Sequence, residues 1–256
     1  MIEVSGLTKL YGDFVAVEDL SFSVGPTEVL GLVGPNGAGK TTTLRCLTGI
    51  VAPSKGRVAI AGHDLRVEPV SAKARLAFVP DEPQLFDYLT VEEHLRFMAR
   101  LYNVETAPTR IPPLLAELEL SEKQRAFPTE LSRGMRQKLA IACGLLHDPS
   151  ALVLDEPLTG LDPAGMRRMR ATIAARARDG AAVILSSHLL HLVEELCTKL
   201  LVIRRGRCVA YGTLDEIIAR RPDLAGMSLE DAFLALTGDA EGEGNAATQG
   251  QGGGAA

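Results

Sequence analysis

Apolar and polar side chains alternate at the start of the chain, over residues 2–4 and again over 20–24, with the two-residue period of half-buried strands. Gly25-Pro26 marks a turn, and 28–33 is an almost unbroken apolar run, as expected of a strand covered on both faces. That run enters a glycine-rich loop, after which 40–48 reads as a helix. Residues 58–60 and 76–79 predict further strands. Near Pro80 the period lengthens: apolar residues recur at helical spacing over 91–102 and 114–120, and 133–146 predicts a third helix. A mainly helical insert over about 81–150 therefore interrupts a β-rich frame. The frame resumes with a strand at 151–154, a helix at 164–178, a strand at 182–186 and a helix at 189–197. Strands alternating with helices predict a parallel sheet with helices on both faces. Residues 200–203 and 208–211 flank Arg205-Gly206 as a hairpin, and helical pieces follow at 214–219 and 229–236. From Asp239 the composition collapses to Gly, Ala, Gln and acidic residues. Such a segment buries too little apolar area to offset its ordering entropy, so disorder is expected over 239–256.

Composition narrows the class. With 256 residues, 46% hydrophobic and 23% charged, the chain can bury one substantial core and carry a small subdomain. The formal charge of −5 argues against a protein that wraps nucleic acid, and no nucleic-acid partner is expected. Cys46, Cys143, Cys197 and Cys208 lack metal-ligand spacing and lie in apolar stretches, which suits buried, reduced thiols. The N-terminus shows no charged leader before an apolar run, so no signal peptide is expected. No stretch approaches the roughly 18 apolar residues of a membrane span. If the chain works at a membrane, a partner holds it there.

The strongest chemical signal is Gly34-Pro35-Asn36-Gly37-Ala38-Gly39-Lys40-Thr41, between the apolar strand and the following helix. Glycines at this spacing let the backbone curl so that several N–H groups face one anion, and the helix N-terminus adds partial positive charge. Lys40 is placed to reach the β- and γ-phosphates, the Thr41 hydroxyl to ligate Mg²⁺, and Thr42 to lie close to the phosphates. A glycine turn with a stray lysine is the bland alternative, and the strand–loop–helix context argues against it. The loop by itself indicates only a nucleoside triphosphate and does not choose among kinase, GTPase and mechanical ATPase. The second signal is Asp155-Glu156 after Leu152-Val153-Leu154. It puts two carboxylates at the C-terminal edge of a buried strand, where open parallel sheets bind ligands. Asp155 suits the Mg²⁺ shell, and Glu156 suits the orientation or deprotonation of an attacking water.

Leu131-Ser132-Arg133-Gly134-Met135 resembles the signature of ATP-binding cassette (ABC) ATPases, usually Leu-Ser-Gly-Gly-Gln. Leu158-Thr159-Gly160-Leu161-Asp162 resembles the D-loop of that family, His188 its switch histidine and Tyr11 its adenine-stacking aromatic residue. The resemblance covers about residues 1–212. It implies an α/β fold: a P-loop NTPase core with a mixed, mainly parallel sheet, an antiparallel β subdomain and a helical subdomain at about 81–150. A C-terminal helical extension would follow at 213–238. It also implies an ATPase that uses ATP and Mg²⁺. Ser132 and Gly134, at a helix start, would form a second anion site completing the cleft of a second ABC subunit, head to tail, and Asp162 of the D-loop is a further candidate for binding the nucleotide. His188 would contact the γ-phosphate and hold Glu156 in line. The variant Ser-x-Gly-Met signature and the segment 228–238 resemble those of bacterial exporters of the ABC-2 type. The implied partner is then an integral membrane permease, with the chain on the cytoplasmic face of the membrane. The sequence departs from the family pattern at Arg133 and Met135, and at Asp81, which stands where the Q-loop glutamine is usual. Asp81 could approach Mg²⁺ or water there, but as an anion beside phosphates it must behave differently from an amide. A soluble ABC ATPase of DNA repair or translation is the first rival, though such proteins usually carry a long coiled-coil insertion or a second cassette. A small-molecule kinase is the second, and it would need neither signature nor His188.

Overall fold

The computed structural model describes residues 1–238, and the disorder expected from Asp239 onward lies outside them. In chain order the elements are β1 (Ile2–Tyr11), β2 (Phe14–Val24), β3 (Val29–Val33), α1 (Lys40–Leu47), β4 (Lys55–Ile60), β5 (His63–Asp64), α2 (Pro69–Ala74), β6 (Leu76–Val79), α3 (Val91–Leu101), α4 (Ala107–Glu117), α5 (Arg133–Leu145), β7 (Ala151–Asp155), α6 (Pro163–Arg178), β8 (Ala182–Ser186), α7 (Leu190–Leu196), β9 (Lys199–Arg204), β10 (Arg207–Gly212), α8 (Leu214–Arg220) and α9 (Leu229–Thr237).

Two sheets result. One is four-stranded and antiparallel, ordered β2-β1-β4-β5; the other is six-stranded, ordered β10-β9-β3-β8-β7-β6. In the larger sheet β9, β3, β8, β7 and β6 run parallel, and β10 closes one edge as an antiparallel hairpin with β9. β3, β7 and β8 are buried at every residue, as their unbroken apolar runs require. One face of this sheet packs with α1 and the four-stranded sheet through residues such as Leu30, Leu44, Val153 and Ile184. The other face continues into the helical insert, where Val79, Leu95, Leu139, Leu154 and Leu185 share one apolar cluster. Sheet and insert are therefore packed on a common core. A third cluster seats α8 and α9 near β9, with Ile217, Leu229 and Leu236 against Val33, Val193 and Val202.

Three departures from the expected elements have local causes. β1 and β2 extend far beyond 2–4 and 20–24, because register shifts after Val4, Leu7 and Lys9 break the two-residue period that would have revealed them. α4 begins at Ala107, ahead of the expected 114, and runs through Pro112 and Pro113. Both prolines lie exposed while Ile111, Leu114 and Leu115 face the core, so the carbonyls they leave unpaired are open to water. Finally, β5 and α2 are too short for a periodic signal. The thiols divide: Cys46 and Cys143 are buried, Cys197 is half-buried and Cys208 is exposed, contrary to the expectation that all four are buried. Burial pushes the Cys143 and Cys197 thiols up to about 12.

His147, just beyond α5, stacks on Tyr102 at the end of α3, with ring centroids 3.8 Å apart. Burial, the larger influence, holds its pKa below the ordinary 6.5, while the Leu76 backbone opposes the shift. The unfolded chain therefore binds this proton more readily than the folded one. The stability tied to neutral His147 is present above about pH 6.5 and is lost as pH falls through the lowered folded-state value. Urea unfolding between pH 7.5 and 5 should show a shallower loss of stability for His147→Phe than for the parent chain. Identical slopes would contradict this assignment.

Candidate active site

The loop after β3 is shaped by contacts that only glycine allows. Gly39, the residue before α1, has φ of 104°, and a Cβ there would lie 2.6 Å from the Ala16 carbonyl oxygen. A Cβ on Gly34 would lie 2.4 Å from the Ile203 carbonyl oxygen. The β9–β10 turn braces the same loop: the Gly206 N–H donates to the Ala38 carbonyl at 2.9 Å, and the Glu18 N–H donates to the Gly206 carbonyl at 2.8 Å. No side chain caps α1, so its first N–H groups face the loop. The Lys40 ammonium donates to the Gly34 carbonyl at 2.6 Å and the Pro35 carbonyl at 3.2 Å. Burial lowers its pKa, and the charges of Glu156 and Asp155 pull it back up.

Those carboxylates arrive from the neighbouring strand ends. β7 and β8 pair in register, with Asp155 opposite Ser186. The Ser186 hydroxyl donates to Asp155 Oδ1 at 2.5 Å, and both the Ser186 carbonyl and its hydroxyl accept the Glu156 N–H at 3.2 Å. Asp155 is only 6% exposed. Glu156 turns out of the strand with φ of 50°, and its Oε2 meets His188 Nδ1 at 2.8 Å and the His188 N–H at 3.4 Å. Burial raises the pKa of Glu156 and the neighbouring charge of Asp155 adds to that, while His188 opposes both by charge and hydrogen bond. An ionised carboxylate only accepts, so the His188 proton facing it sits on Nδ1 and Nε2 is left to face outward.

A cleft of about 930 Å³ joins these groups. Asn36, Gly37, Ala38, Gly39, Lys40, Thr41 and Thr42 line one side, with Asp155, Glu156 and His188 beyond the loop and Asp81 on the wall from β6. Gly34 and Pro35 lie behind the loop and meet Lys40 through their carbonyls. Tyr11 does not line the cleft. It sits at the end of β1, 47% exposed, with the Lys9 ammonium 4.9 Å from its ring centre. Phe14, paired with Tyr11 across the hairpin and 66% exposed, lines the cleft instead. Sequence reasoning missed Phe14, whose only signal was its place after the Gly12-Asp13 turn. Ser132, Gly134 and Asp162 also lie outside the cleft lining. Ser132 caps α5 by accepting the Met135 N–H at 3.2 Å, and Asp162 caps α6 by accepting the Gly165 N–H at 2.9 Å.

A protein-family model described as ABC transporter matches residues 17–159, from β2 through the loop, the signature and both carboxylates. The chain belongs to this family. Curated relatives agree. An ABC-type transporter ATP-binding protein, EcsA of Bacillus subtilis, is 33% identical over 93% of this chain and 96% of its own length. A Nod factor export ATP-binding protein I of Paraburkholderia xenovorans is 40% identical over 85% of this chain and 72% of its own. Among solved structures, one described as the ATP binding subunit of an ABC transporter superposes with a TM-score of 0.89 at 36% identity. It covers 93% of this chain and all of that one. The chain is thus an ABC ATPase, and its α/β fold is the one the family implied.

Because Gly34 is pressed against the Ile203 carbonyl, Gly34→Ala must displace the loop of this ABC ATPase. Overpacking of this kind costs about 1–3 kcal/mol, and each 1.4 kcal/mol is about tenfold in affinity. Titration with a fluorescent ATP analogue should show binding weakened about tenfold or more. Unchanged affinity would mean that the loop does not contact the nucleotide.

Proposed function

We propose that the chain is the ATP-driven subunit of an exporter, working as one of two nucleotide-binding subunits on a membrane permease. The observation that carries this reading is the division of the motifs. Loop, strand-end carboxylates and His188 share one cleft, while Ser132 and Gly134 present a helix N-terminus elsewhere. A helix start with free N–H groups suits an anion, and a second copy could supply that anion from its own cleft. The names of its relatives, one of them a Nod factor export ATP-binding protein, favour export. No helix among the described residues is long and apolar enough to cross a membrane, so the transport path would belong to a partner. The permease would dock on the insert near β6, where Tyr88 is 91% exposed and Phe86 packs edge-on against exposed Phe97 at 5.2 Å.

In this mechanism the backbone N–H groups of 36–41 hold the β-phosphate, and Lys40 leaves the Gly34 and Pro35 carbonyls for the phosphate oxygens. Among the described residues no group of three or more His, Cys, Asp or Glu side chains could hold a metal alone. That suits Mg²⁺, which binds one or two protein oxygens and completes its shell with phosphates and water. Thr41 and Asp155, which line the cleft, would be those ligands, and Asp81 on the same lining could approach the ion or its water. Bound Mg²⁺ would neutralise charge developing on the phosphates. Glu156, its pKa raised by burial, takes the proton of the attacking water, and His188 fixes the carboxylate. To donate to a phosphate oxygen as well, His188 must be protonated on Nε2. Phe14, which lines the cleft, would then be the aromatic side chain that meets the adenine base, with Tyr11 paired to it across the hairpin.

Two experiments test this. Tagged Glu156→Gln protein, drawn from detergent-solubilised native membranes, should bring down a multi-spanning protein in stoichiometric yield. Recovery of ribosomes or DNA-bound complexes would overturn the exporter reading. The acid limb of kcat should follow the raised pKa of Glu156, with activity falling as pH drops through it. His188 lowers that pKa, so the residual activity of His188→Ala should lose its acid limb at a higher pH. A limb that stays in place would remove Glu156 from the role of base.

A further inference from the structure

Two positions at which the chain departs from the family pattern touch each other. Arg133, the first residue of α5, directs its guanidinium to Asp81 Oδ1 at 3.4 Å, across 52 residues of sequence. The stem of the same side chain lies on the loop that follows Glu156. A Cβ added to Gly160 would sit 3.1 Å from Arg133 Cδ and 3.3 Å from its Cγ. Asp81 lines the cleft, and Ser132, which precedes Arg133, caps α5. One arginine thus bridges the loop on the wall of its own cleft, the loop leaving the catalytic carboxylate, and the helix start expected to serve another copy. Neutral residues usual at these positions, glutamine and glycine, could form no such ion pair.

We infer that Arg133 is a positioning residue, acting through Asp81, that sets the orientation of the signature helix relative to the chain's own cleft. Both side chains are about half exposed, so the pair is a weak one. Weakness suits the role. A pair of this strength biases one arrangement of two loops, and a cation beside Asp81 on the cleft wall can break it. Arg133 stands outside the cleft lining, so cation binding at the cleft is transmitted to α5 through Asp81, as release of the tie. The inference rests on the ATPase reading of the site only in its consequence for turnover. The tie itself belongs to the nucleotide-free protein.

The test is a double-mutant cycle of Arg133→Gln and Asp81→Asn, with the charge swap Asp81→Arg plus Arg133→Asp as a rescue. The first readout is backbone hydrogen exchange without nucleotide, over residues 81–84 and 133–136. Each single substitution should speed exchange in the opposite segment about two- to five-fold, the range of an exposed pair. Adding Arg133→Gln to Asp81→Asn should change little further, and the swap should restore much of the protection. The second readout is kcat at saturating ATP, which should show the same non-additivity. Additive effects in both readouts, or an Arg133→Gln effect of equal size in the Asp81→Asn background, would overturn the proposal. Absence of ATPase activity in the parent chain would count against the proposed function alone, since exchange is read without nucleotide.

Discussion

The parallel register of β3, β8 and β7 is the constraint on which the site depends. Leu32 pairs with Ser186, and Ser186 pairs with Asp155, so three strands end at one level. From that level the chain turns into the phosphate loop, the segment carrying His188 and the segment carrying Glu156. These three strands are buried on both faces, so a slip in register would drive polar residues from the strand ends into the apolar interior and misfit side chains on both packed layers. The cost of such a slip fixes the spacing of loop, carboxylates and histidine. Ser186 then links two of the three segments by bonding both Asp155 and the Glu156 backbone.

Opposed charges are stored at that level. Lys40 is partly desolvated and is kept charged by the neighbouring acids, while Glu156 is pushed toward neutrality by burial and drawn back by His188. An incoming triphosphate would favour the charged form of Lys40, and an incoming cation that of Glu156. The helical insert has a comparable character on its flank. It shares the apolar core with the sheet, but its edge is fastened to α6 by charged contacts: Glu117 to Arg176 and Thr172, and Glu119 to Arg168. Exposed pairs of this kind contribute about 0–1 kcal/mol each, so they steer orientation more than they hold the fold.

Much of this was legible in the sequence, for reasons that can be traced. The apolar runs at 28–33, 151–154 and 182–186 are long and unbroken because their strands are central in a parallel sheet. The phosphate loop is legible because its glycines answer to contacts with fixed neighbours, such as Ala16 and Ile203. Asp155 and Glu156 are legible because they end such a run. Where the sequence misled, the cause was local irregularity or long range. Bulges hid most of β1 and β2. The helix expected from 114 starts at Ala107, and Pro112 and Pro113 lie on the exposed side of α4 and add nothing to the apolar period. The place of Phe14 in the cleft depends on how the first hairpin leans over the loop, and the Asp81–Arg133 contact joins residues 52 positions apart. No local pattern encodes either.

One copy holds a phosphate loop and catalytic edge in one cleft, while the second helix start expected to bind phosphate, that of α5, lies outside the lining of that cleft. The most direct measurement is the solution mass of Glu156→Gln by light scattering, with MgATP and with MgADP, while bound nucleotide is quantified in parallel. The account predicts twice the chain mass with ATP bound and a single chain mass with ADP bound. A single chain mass at full ATP occupancy would contradict it.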